Sequence, residues 1–421
     1  MRKVFAAIIT IGDELLIGQV VDTNSAWMAR NLNEHGIWLK QRVAVGDNRS
    51  DIVSALDQVS VNADIILITG GLGPTADDIT KPVLCEYFGG KLVTNEEALA
   101  NVKHIFEHML KRPLIERNLR QAEVPDVCTV IPNKRGTAPG MWFEKNGKIF
   151  ISVPGVPHEM KGMITDYVLP KLKEYFTMPF ILHRTLLTAG IGESFLAEAI
   201  EGIETKLPDH IKLAYLPNYG MVRLRLTAWG DNKDEMEYEL DEKFRLLKEK
   251  VKEWIVIDED ITIQQTVSRL LKQRKQTLGT AESCTGGYIA HLLTRDAGAS
   301  TFFKGAIVSY SNDVKKEVLH VSEETLSATG AVSEETVRQM ANEALHLLRT
   351  DYIVAVSGIM GPDGGTPSKP VGTVWIAVGN GERTETKKTH FRFDRERNIE
   401  LTAVHALNFL RIFILSTGQK S

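Results

Sequence analysis

The first part of the chain alternates apolar runs of strand length with amphipathic runs. Val4 to Ile11 and Ile65 to Thr69 are strongly apolar, and Leu39 to Val45 is a third segment of strand length. Residues 24–35 and 51–61 place apolar side chains at helical spacing. Strands that alternate with helices are typical of a parallel sheet covered by helices on both faces. We predict an α/β domain over residues 1–170.

The pattern changes after Pro170, and the next segments have a different order. They predict a strand, a helix, two strands and a long charged helix, at Ile181 to Thr188, Glu193 to Ile203, Lys212 to Tyr215, Met221 to Trp229 and Lys233 to Val251. This order indicates a small α+β module over residues 171–255. RNA-binding modules of the KH type use a G-x-x-G clamp. The nearest match, Gly190-Ile191-Gly192-Glu193, lacks that spacing and carries an acid, so we expect a structural or dimerising role.

The α/β pattern returns after the charged linker Asp258-Glu259-Asp260. Gln276 to Ala281 and Tyr352 to Ser357 predict strands, and Arg395 to Leu415 predicts a closing helix. A third domain is therefore expected over residues 258–421. The fold class predicted for the chain is α/β: two three-layer α/β domains joined by a small α+β module.

Composition narrows the function classes. The chain has 421 residues, a net charge of −4 and three cysteines without a C-x-x-C motif. This balance disfavours nucleic-acid binding through bulk positive charge, a disulfide framework and a structural zinc site. The apolar run after Lys3 ends at Gly12-Asp13-Glu14, too early for a signal peptide, and no run reaches the roughly 18 apolar residues of a membrane span. We expect a cytoplasmic protein that does not bind a membrane.

Two loops follow predicted strands in the first domain, where α/β folds bind ligands. One is Gly12-Asp13-Glu14, and the other runs from Thr69 to Thr80. The second contains glycines that allow close approach to an anion, hydroxyls, and acids suited to Mg²⁺: Gly70, Gly71, Gly73, Thr75, Asp77 and Asp78. The pattern predicts a metal-assisted phosphate site. The alternative is a Gly-Pro turn in which Asp78 caps the helix containing Pro82.

A second candidate site lies at Thr280-Ala281-Glu282-Ser283-Cys284-Thr285-Gly286-Gly287. Ser283 stands between a predicted strand and a helical pattern that starts at Tyr288. A hydroxyl held beside free N–H groups at a helix N-terminus suits attack on a carbonyl, because those N–H groups stabilise an oxyanion. The alternative is an ordinary N-cap serine with glycines for a tight turn.

Other polar residues at strand ends could complete a serine hydrolase site. In an S-x-x-K arrangement the lysine follows the serine by three positions, but Gly286 stands there, so Lys315 becomes the candidate base, with Tyr310 nearby. Each residue also has a simpler explanation, such as Arg397 pairing with Glu400. Glycines in the loop from Gly358 to Thr366 allow a backbone anion nest. Cys284 is a rival nucleophile, although strand alternation places it on the opposite side from Ser283.

These motifs resemble those of one family. The run from Thr10 to Leu16, the Gly-Gly-Leu-Gly-Pro-Thr-x-Asp-Asp loop and Val153-Pro154-Gly155-Val156-Pro157 resemble the molybdopterin-binding (MoaB/MogA-like) fold. The Ser283 stretch, Tyr310-Ser311-Asn312-x-x-Lys315, the loop from Ser357 to Gly365, Lys369 to Trp375 and Arg395-x-Arg397 resemble the C-terminal domain of the CinA (competence/damage-inducible) family. The middle module resembles the KH-related module of that family. The Phe393-Asp394-Arg395 segment departs from the expected pattern, which has a glycine before the aspartate.

The resemblance implies two activities in the recycling of pyridine nucleotides. The C-terminal domain would be a nicotinamide mononucleotide deamidase that needs no cofactor, and the N-terminal domain a metal-dependent ADP-ribose pyrophosphatase. Ser283 would attack the carboxamide carbon, while Lys315, helped by Tyr310, would take the serine proton and return it to the leaving ammonia. The acyl-enzyme would then be hydrolysed to nicotinate mononucleotide.

The resemblance also implies binding residues. Those expected at the C-terminal site are Cys284, Thr285, Gly286, Gly287, Asn312, Gly358, Gly361, Gly364, Thr366 and Arg397. Those expected at the N-terminal nucleotide site are Gly12, Asp13, Glu14, Gly70, Gly71, Leu72, Gly73, Pro74, Thr75 and Gly155, with a divalent metal such as Mg²⁺ on Asp77 and Asp78. The expected partners are these small nucleotides and a second copy in a homodimer. The alternative is a nucleotide-binding regulatory protein with a recombination-protein partner linked to competence, in which one or both sites are inactive.

Overall fold

The computed structural model describes residues 3–75, 77–218 and 220–417. The chain packs into two compact units. One comprises the residues up to Leu182 together with Ala228–Glu239, and the other comprises His183–Thr227 together with the residues from Leu240 onward. The segments of the middle module are thus divided between the two units. The predicted boundaries 1–170, 171–255 and 258–421 stay predictions.

The first unit is built on a mixed sheet. Its strands, with a separate β4–β5 pair, are β1 (Val4–Ile11), β2 (Ile37–Val45), β3 (Ile65–Thr69), β4 (Leu92–Thr94), β5 (Glu123–Pro125), β6 (Thr129–Ile131), β7 (Gly140–Lys145) and β8 (Lys148–Val153). The sheet order is β2-β1-β3-β8-β7-β6. The first four strands in this order are parallel, while β7 and β6 are antiparallel. The β7–β8 hairpin turns at Asn146 and Gly147 with φ values of 54° and 72°, as a type I′ turn requires.

Helices cover both faces of this sheet. They are α1 (Asp13–Leu16), α2 (Thr23–Glu34), α3 (Arg49–Ser60), α4 (Thr80–Tyr87), α5 (Glu96–His104), α6 (Glu116–Leu119), α7 (Pro157–Met163) and α8 (Leu169–Tyr175). Ala6 and Ile8 of β1 face a core with α2, α7 and α8, while Ala7 and Ile9 face a second core with α3 and α4. Alternate residues of a strand point to opposite faces, so a strand covered on both sides must be apolar throughout.

The middle module has the predicted order of elements and one further strand. It comprises β9 (Phe180–Ala189), α9 (Glu193–Glu204), β10 (Ile211–Asn218), β11 (Met221–Gly230), α10 (Lys233–Val251) and β12 (Ile255–Ile257). The sheet order is β10-β11-β9-β12. The short strand β12 lies antiparallel to β9, and its three residues are too few for the hydrophobic pattern to reveal.

The rest of the second unit is an α/β domain. Its strands are β13 (Leu278–Glu282), β14 (Phe303–Val308), β15 (Tyr352–Gly358), β16 (Thr373–Gly379) and β17 (Thr384–His390), in the order β14-β13-β15-β16-β17. Its helices are α11 (Ile263–Arg274), α12 (Tyr288–Thr294), α13 (Asn312–Glu317), α14 (Glu323–Thr329), α15 (Glu334–Leu348) and α16 (Arg395–Thr417). Strands β14, β13 and β15 are parallel, and β16 and β17 are antiparallel. The predicted α/β fold class is confirmed in both units.

Helix α16 corrects one expectation. By length and composition it is apolar enough to cross a membrane, although the sequence analysis found no such run. The part after Glu400 is interrupted by His405, Asn408 and Arg411, so it contains no long uninterrupted apolar run. Leu407, Leu410 and Phe413 of this helix are buried in the core beneath the β13–β15 strands. A helix packed against a sheet in this way serves as a core element of the fold.

Candidate active site

The Ser283 turn lies at the carboxyl end of β13, an inner strand of the second α/β sheet. Strand β13, between β14 and β15, ends at Glu282, and α12 begins at Tyr288. The backbone N–H of Ser283 donates a 3.0 Å hydrogen bond to the carbonyl of Val356 in β15. The Ser283 residue is 7% exposed. Its hydroxyl is thus held at the carboxyl end of a central strand by backbone contacts on either side.

Lys315 in α13 meets Ser283 at this point. Its Nζ lies 2.9 Å from Ser283 Oγ, and 2.7 Å and 3.3 Å from the carbonyl oxygens of Ser309 and Tyr310. A neutral amine has two hydrogens and one lone pair. If the hydrogens are donated to the two carbonyls, the lone pair is left for the Ser283 hydroxyl. Burial lowers the pKa of Lys315 from its ordinary value, which favours this neutral form.

The geometry around Cys284 disfavours it as the nucleophile. The Cys284 thiol is buried, and burial, followed by the nearby Glu282 carboxylate, raises its pKa to about 12. The thiolate is the reactive form of cysteine, so a thiol with this pKa stays protonated and inert at neutral pH.

Glu282 holds the turn together, a role that the sequence analysis did not assign. The carboxylate is fully buried and accepts five hydrogen bonds, from Thr280 Oγ1, Thr285 Oγ1 and the backbone N–H groups of Gly287, Ile289 and Ala290. Residues 278, 280 and 282 share one face of β13 because strand side chains alternate, and α12 packs on that face. The acid therefore satisfies the free N–H groups at the start of α12. An acid that ends an apolar strand just before Ser283 is the signal that could have revealed it.

The candidate oxyanion donors are fewer than the sequence suggests. The N–H of Gly286 donates to the Ser283 carbonyl at 3.2 Å, and the N–H of Gly287 donates to Glu282 at 3.1 Å. These two groups are therefore already used within the turn. In the part of the chain that the structure describes, the N–H groups of Cys284 and Thr285 have no oxygen acceptor. They are the donors left for a negative oxygen beside Ser283.

Tyr310 is hydrogen-bonded to Arg395, an arginine that the sequence analysis did not name as a site residue. The Arg395 guanidinium donates 2.8 Å to the Tyr310 hydroxyl and 2.9 Å to the Gly361 carbonyl. Arg395 starts α16, so this residue connects the helix, the loop after β15 and the end of β14. Arg397 instead packs over the Phe393 ring at 4.4 Å and lines a separate cavity with Gly192 and Glu193. The structure brings Arg395, not Arg397, to Tyr310.

Four further predicted residues of this site lie at the end of β15 and on the loop after it, and Asn312 lies at a helix start. Asn312 is the first residue of α13, and the helix is capped by Ser311, whose Oγ accepts from the Val314 N–H at 3.3 Å. Gly358 ends β15, and Gly361 and Gly364 follow with positive φ values of 89°. The hydroxyl of Thr366 accepts from the Lys369 N–H at 3.1 Å, which closes the loop on itself.

The predicted N-terminal residues meet at one edge of the first sheet. Gly12 donates to the Val45 carbonyl at 3.0 Å, and Gly70 donates to the Val153 carbonyl at 3.3 Å. Gly155, after β8, lies against Gly70, since a Cβ on Gly155 would be 3.4 Å from the Gly70 Cα. Leu72, expected at the nucleotide site, has its side chain buried in the core, so it can offer only its backbone.

Four carboxylates gather at this edge. The Asp13 backbone N–H donates to Asp47 at 3.0 Å, and the Asp47 N–H donates to Asp13 at 3.2 Å. Burial raises the pKa of Asp47, and the charges of Asp13, Glu14 and Asp77 raise it further. Asp47 is a second residue that the sequence analysis missed. It follows β2, and only the strand order β2-β1-β3 places it beside the loop after β1.

The alternative role of Asp78 as a helix cap is wrong. Helix α4 begins at Thr80 after Ile79, and Asp78 accepts instead from the Thr75 N–H at 2.8 Å and from the Thr75 hydroxyl. Among the described residues, no group of three His, Cys, Asp or Glu side chains is arranged to hold a metal. Mg²⁺ commonly takes one or two carboxylates and fills its other positions with water and substrate phosphate. The acids at this edge fit an ion of that kind, which stays a proposal.

The fold and this site define a class: an α/β protein with a buried serine–lysine pair at a strand-to-helix turn, preceded by a second α/β domain and a small α+β module. Three family models match the chain. They are the probable molybdopterin binding domain over residues 7–174, the damage-inducible protein CinA KH domain over 183–256 and the CinA C-terminal domain over 260–414. The chain belongs to the CinA family, which confirms the resemblance seen in the sequence.

The similarity to relatives in sequence extends over nearly the whole chain. The chain is 45% identical to a CinA-like protein of Cytophaga hutchinsonii, with 97% of each chain covered. It is 42% identical to a CinA-like protein of Flavobacterium psychrophilum, with 99% of this chain and 100% of the relative covered. Among solved structures, a CinA superfamily protein of Klebsiella pneumoniae is 36% identical over 37% of this chain and 96% of its own, with a TM-score of 0.36.

Proposed function

We propose that the C-terminal domain hydrolyses the carboxamide of nicotinamide mononucleotide to nicotinate mononucleotide and ammonia. The observation that carries this proposal is the 2.9 Å approach of Lys315 Nζ to Ser283 Oγ within a buried turn. Lys315 takes the Ser283 proton as the oxygen bonds to the carboxamide carbon, and the N–H groups of Cys284 and Thr285 receive the oxyanion. Lys315 then gives the proton to the leaving ammonia, and water hydrolyses the acyl-enzyme.

Two features support a small anionic substrate at this site. The Arg395 guanidinium donates hydrogen bonds to the Tyr310 hydroxyl and to the carbonyl of Gly361, which belongs to the loop from Gly358 to Thr366. A fixed cation beside backbone N–H groups suits a phosphate. Nicotinamide mononucleotide offers both a carboxamide and a 5′-phosphate, so it fits the two halves of the site.

The test measures ammonia release from nicotinamide mononucleotide by the intact chain, by Ser283→Ala and by Ser327→Ala, an exposed serine on α14. We expect release by the intact chain and by the Ser327 variant, and a loss of about a thousandfold or more in Ser283→Ala. Absence of release from the folded parent would reject the deamidase. Full activity in Ser283→Ala would reject the nucleophile.

We further propose that the N-terminal domain hydrolyses ADP-ribose to AMP and ribose 5-phosphate. The support is the meeting of the glycine loop after β3 with the carboxylates Asp13, Asp47 and Asp77 at one sheet edge. Asp77 and Asp78 would hold a divalent metal, which would neutralise charge on the pyrophosphate when bound. The glycines at 70, 71 and 73 would let the backbone approach the phosphates.

AMP release from ADP-ribose with Mg²⁺ tests this second activity. The comparison is between the parent, Asp78→Asn and Glu34→Gln, an exposed acid on α2. We expect the loss to be confined to Asp78→Asn. Tight binding of ADP-ribose without any AMP release would instead favour the alternative of a nucleotide-binding regulatory protein.

A further inference from the structure

A cavity of about 420 Å³ lies within the second unit, where the middle module meets helices α11, α12 and α16. Its apolar walls include the buried side chains of Leu187, Met221, Ile263 and Leu292. This volume is typical of small-molecule sites, which are mostly apolar with a few polar groups. Ser283 does not line the cavity, so the cavity is separate from the candidate active site.

Gln264, in the first turn of α11, lines this cavity, and its side chain has no hydrogen-bond partner among the described residues. The residue is 9% exposed, but neither its Oε1 nor its Nε2 is fully enclosed. The neighbouring Gln265 accepts from Thr262 and completes the cap of this helix, a role that Gln264 does not share. Most buried side-chain amides make hydrogen bonds. The cavity therefore presents an unused acceptor and unused donors to a ligand.

Two charged side chains on the cavity wall are also unpaired. Glu400 of α16 and Arg295, which caps the end of α12, both line the cavity, and within the described chain neither makes a salt bridge. Arg223, the third charged residue of the lining, is paired with Asp260 at 3.3 Å. A separate anion and cation on one cavity wall suit a ligand that itself carries both charges.

Tyr288, the first residue of α12, adds an aromatic ring to the lining. Burial raises the pKa of its hydroxyl, the charge of Glu400 raises it further, and the charge of Arg295 lowers it. Glu396 adds a second negative charge nearby. The surroundings of the Tyr288 ring are therefore negative on balance, which suits a cationic ring placed against it.

We propose that this cavity is a regulatory site for nicotinamide mononucleotide, the substrate proposed for the Ser283 site. The cationic pyridinium ring lies against Tyr288 near Glu400. The carboxamide pairs with the amide of Gln264, and the phosphate meets Arg295. The inference rests on the proposed deamidase function and adds a second molecule of the same nucleotide.

Backbone contacts connect the cavity to the active site. The Tyr288 N–H donates a 3.0 Å hydrogen bond to the carbonyl of Thr285, whose own N–H is a candidate oxyanion donor. The next N–H groups of α12, at Ile289 and Ala290, are held by Glu282. A ligand that fixes the start of α12 therefore fixes this donor, so we expect occupancy of the cavity to raise the deamidase rate.

Calorimetric titration of the full-length Ser283→Ala variant with nicotinamide mononucleotide tests the site. We expect two equivalents to bind per chain. Added to Ser283→Ala, Gln264→Leu and Arg295→Gln should each weaken one equivalent by about tenfold or more, and Arg395→Gln should weaken the other. Gln273→Leu, at an exposed glutamine on α11, should change neither. Arg295 is exposed, so its variant keeps the test informative if Gln264→Leu unfolds.

Nicotinate mononucleotide tests the assigned contacts. Its carboxylate cannot donate to the Gln264 Oε1 and is repelled by Glu400, so it should bind the cavity about tenfold or more weakly than the amide. Glu400→Gln should reduce this difference. Equal affinity of the cavity for the two nucleotides would contradict the contacts proposed here.

Ammonia release separates this inference from the function on which it rests. The rate of the parent should rise more steeply with concentration than a hyperbola, and Arg295→Gln should give a hyperbola with a lower maximum. Identical curves for the two proteins would reject regulation. A single bound equivalent that depends on Arg395 but not on Arg295 would reject the cavity. A single equivalent that depends on Arg295, with no ammonia released by the parent, would uphold the cavity as a binding site and reject the deamidase.

Discussion

The guanidinium of Arg395 donates a 2.8 Å hydrogen bond to the hydroxyl of Tyr310, and its other terminal nitrogen reaches the Gly361 carbonyl. The Tyr310 oxygen is therefore an acceptor for a cation, while Lys315 contacts Ser283 Oγ. In the proposed reaction, Tyr310 and Arg395 position the substrate, and Lys315 transfers the proton.

This pairing predicts that substitutions of Tyr310 and Arg395 do not act independently. Tyr310→Phe and Arg395→Gln should each lower kcat/KM for nicotinamide mononucleotide by about tenfold, because each removes one charge-assisted hydrogen bond. The double variant should lose less than the product of the two effects, since the residues act as a pair. Arg392→Gln, an exposed neighbour, serves as the control. Effects that simply multiply, or a larger loss in Arg397→Gln than in Arg395→Gln, would contradict this arrangement.

The role of Lys315 as the base predicts how kcat/KM of the proposed deamidase depends on pH. The amine must be neutral to accept the Ser283 proton, so kcat/KM should rise with pH through the pKa of Lys315 and level off above it. Burial lowers this pKa, so the midpoint should lie below the ordinary lysine value of 10.5.

Lys315→Arg provides the comparison, because arginine stays charged at every accessible pH. We expect its rate to fall by about 10²–10⁴ and the rising limb to disappear. Initial rates measured across the pH range check both statements. An unchanged rising limb in Lys315→Arg would assign the limb to another group.

The five hydrogen bonds accepted by Glu282 predict that its substitution lowers the stability of the fold. Glu282→Gln replaces one acceptor oxygen by an NH₂ group that cannot accept, and so leaves buried N–H groups of the α12 turn without a partner. We expect the free energy of unfolding of the second unit to fall by about 2–4 kcal/mol, measured by urea denaturation. Thr280→Val, which removes only one of the five donors, should cost less. Equal stability of Glu282→Gln and the parent would show that the five bonds do not stabilise the turn.

The burial of Cys284 predicts that its thiol is unreactive in the native protein. Because burial raises its pKa to about 12, it should react slowly with a disulfide reagent in the native protein and quickly after unfolding. Cys284→Ala should keep the deamidase rate within about threefold, since its backbone N–H is retained. Loss of activity as large as that of Ser283→Ala would make the thiol the nucleophile.

Lys81 predicts a pH-dependent contribution to stability. Burial lowers its pKa from 10.5 to about 8 in the folded chain. Between these values the unfolded chain binds more protons, so this contribution to the free energy of unfolding increases as pH rises from about 8 to 10.5 and is smallest below 8. The free energy of unfolding of the parent should therefore increase relative to that of Lys81→Met as pH rises through that window. A difference in stability that does not change with pH would show that Lys81 keeps the pKa of a solvent-exposed lysine.

Much of the architecture follows from local pattern. The apolar runs at Val4–Ile11 and Tyr352–Gly358 identify strands buried on both faces, and Asn146-Gly147 identifies a hairpin, because periodicity and turn chemistry are properties of neighbouring residues. The position of Ser283 at a strand-to-helix turn is local in the same sense. Motif resemblance adds the family, which the comparisons confirm.

Tertiary structure decides the partnerships between residues that are distant in the chain. Lys315 reaches Ser283 across 32 residues, and Arg395 reaches Tyr310 across 85. Asp47 joins Asp13 through the strand order, and Lys81 is buried by a segment 40 residues away. Sequence spacing carries no distance between separate elements, and burial, which sets the pKa of Lys315 and Cys284, depends on everything that packs around them. The sequence thus determined the chemical groups and the elements that bear them, and folding determined which groups meet and which are charged.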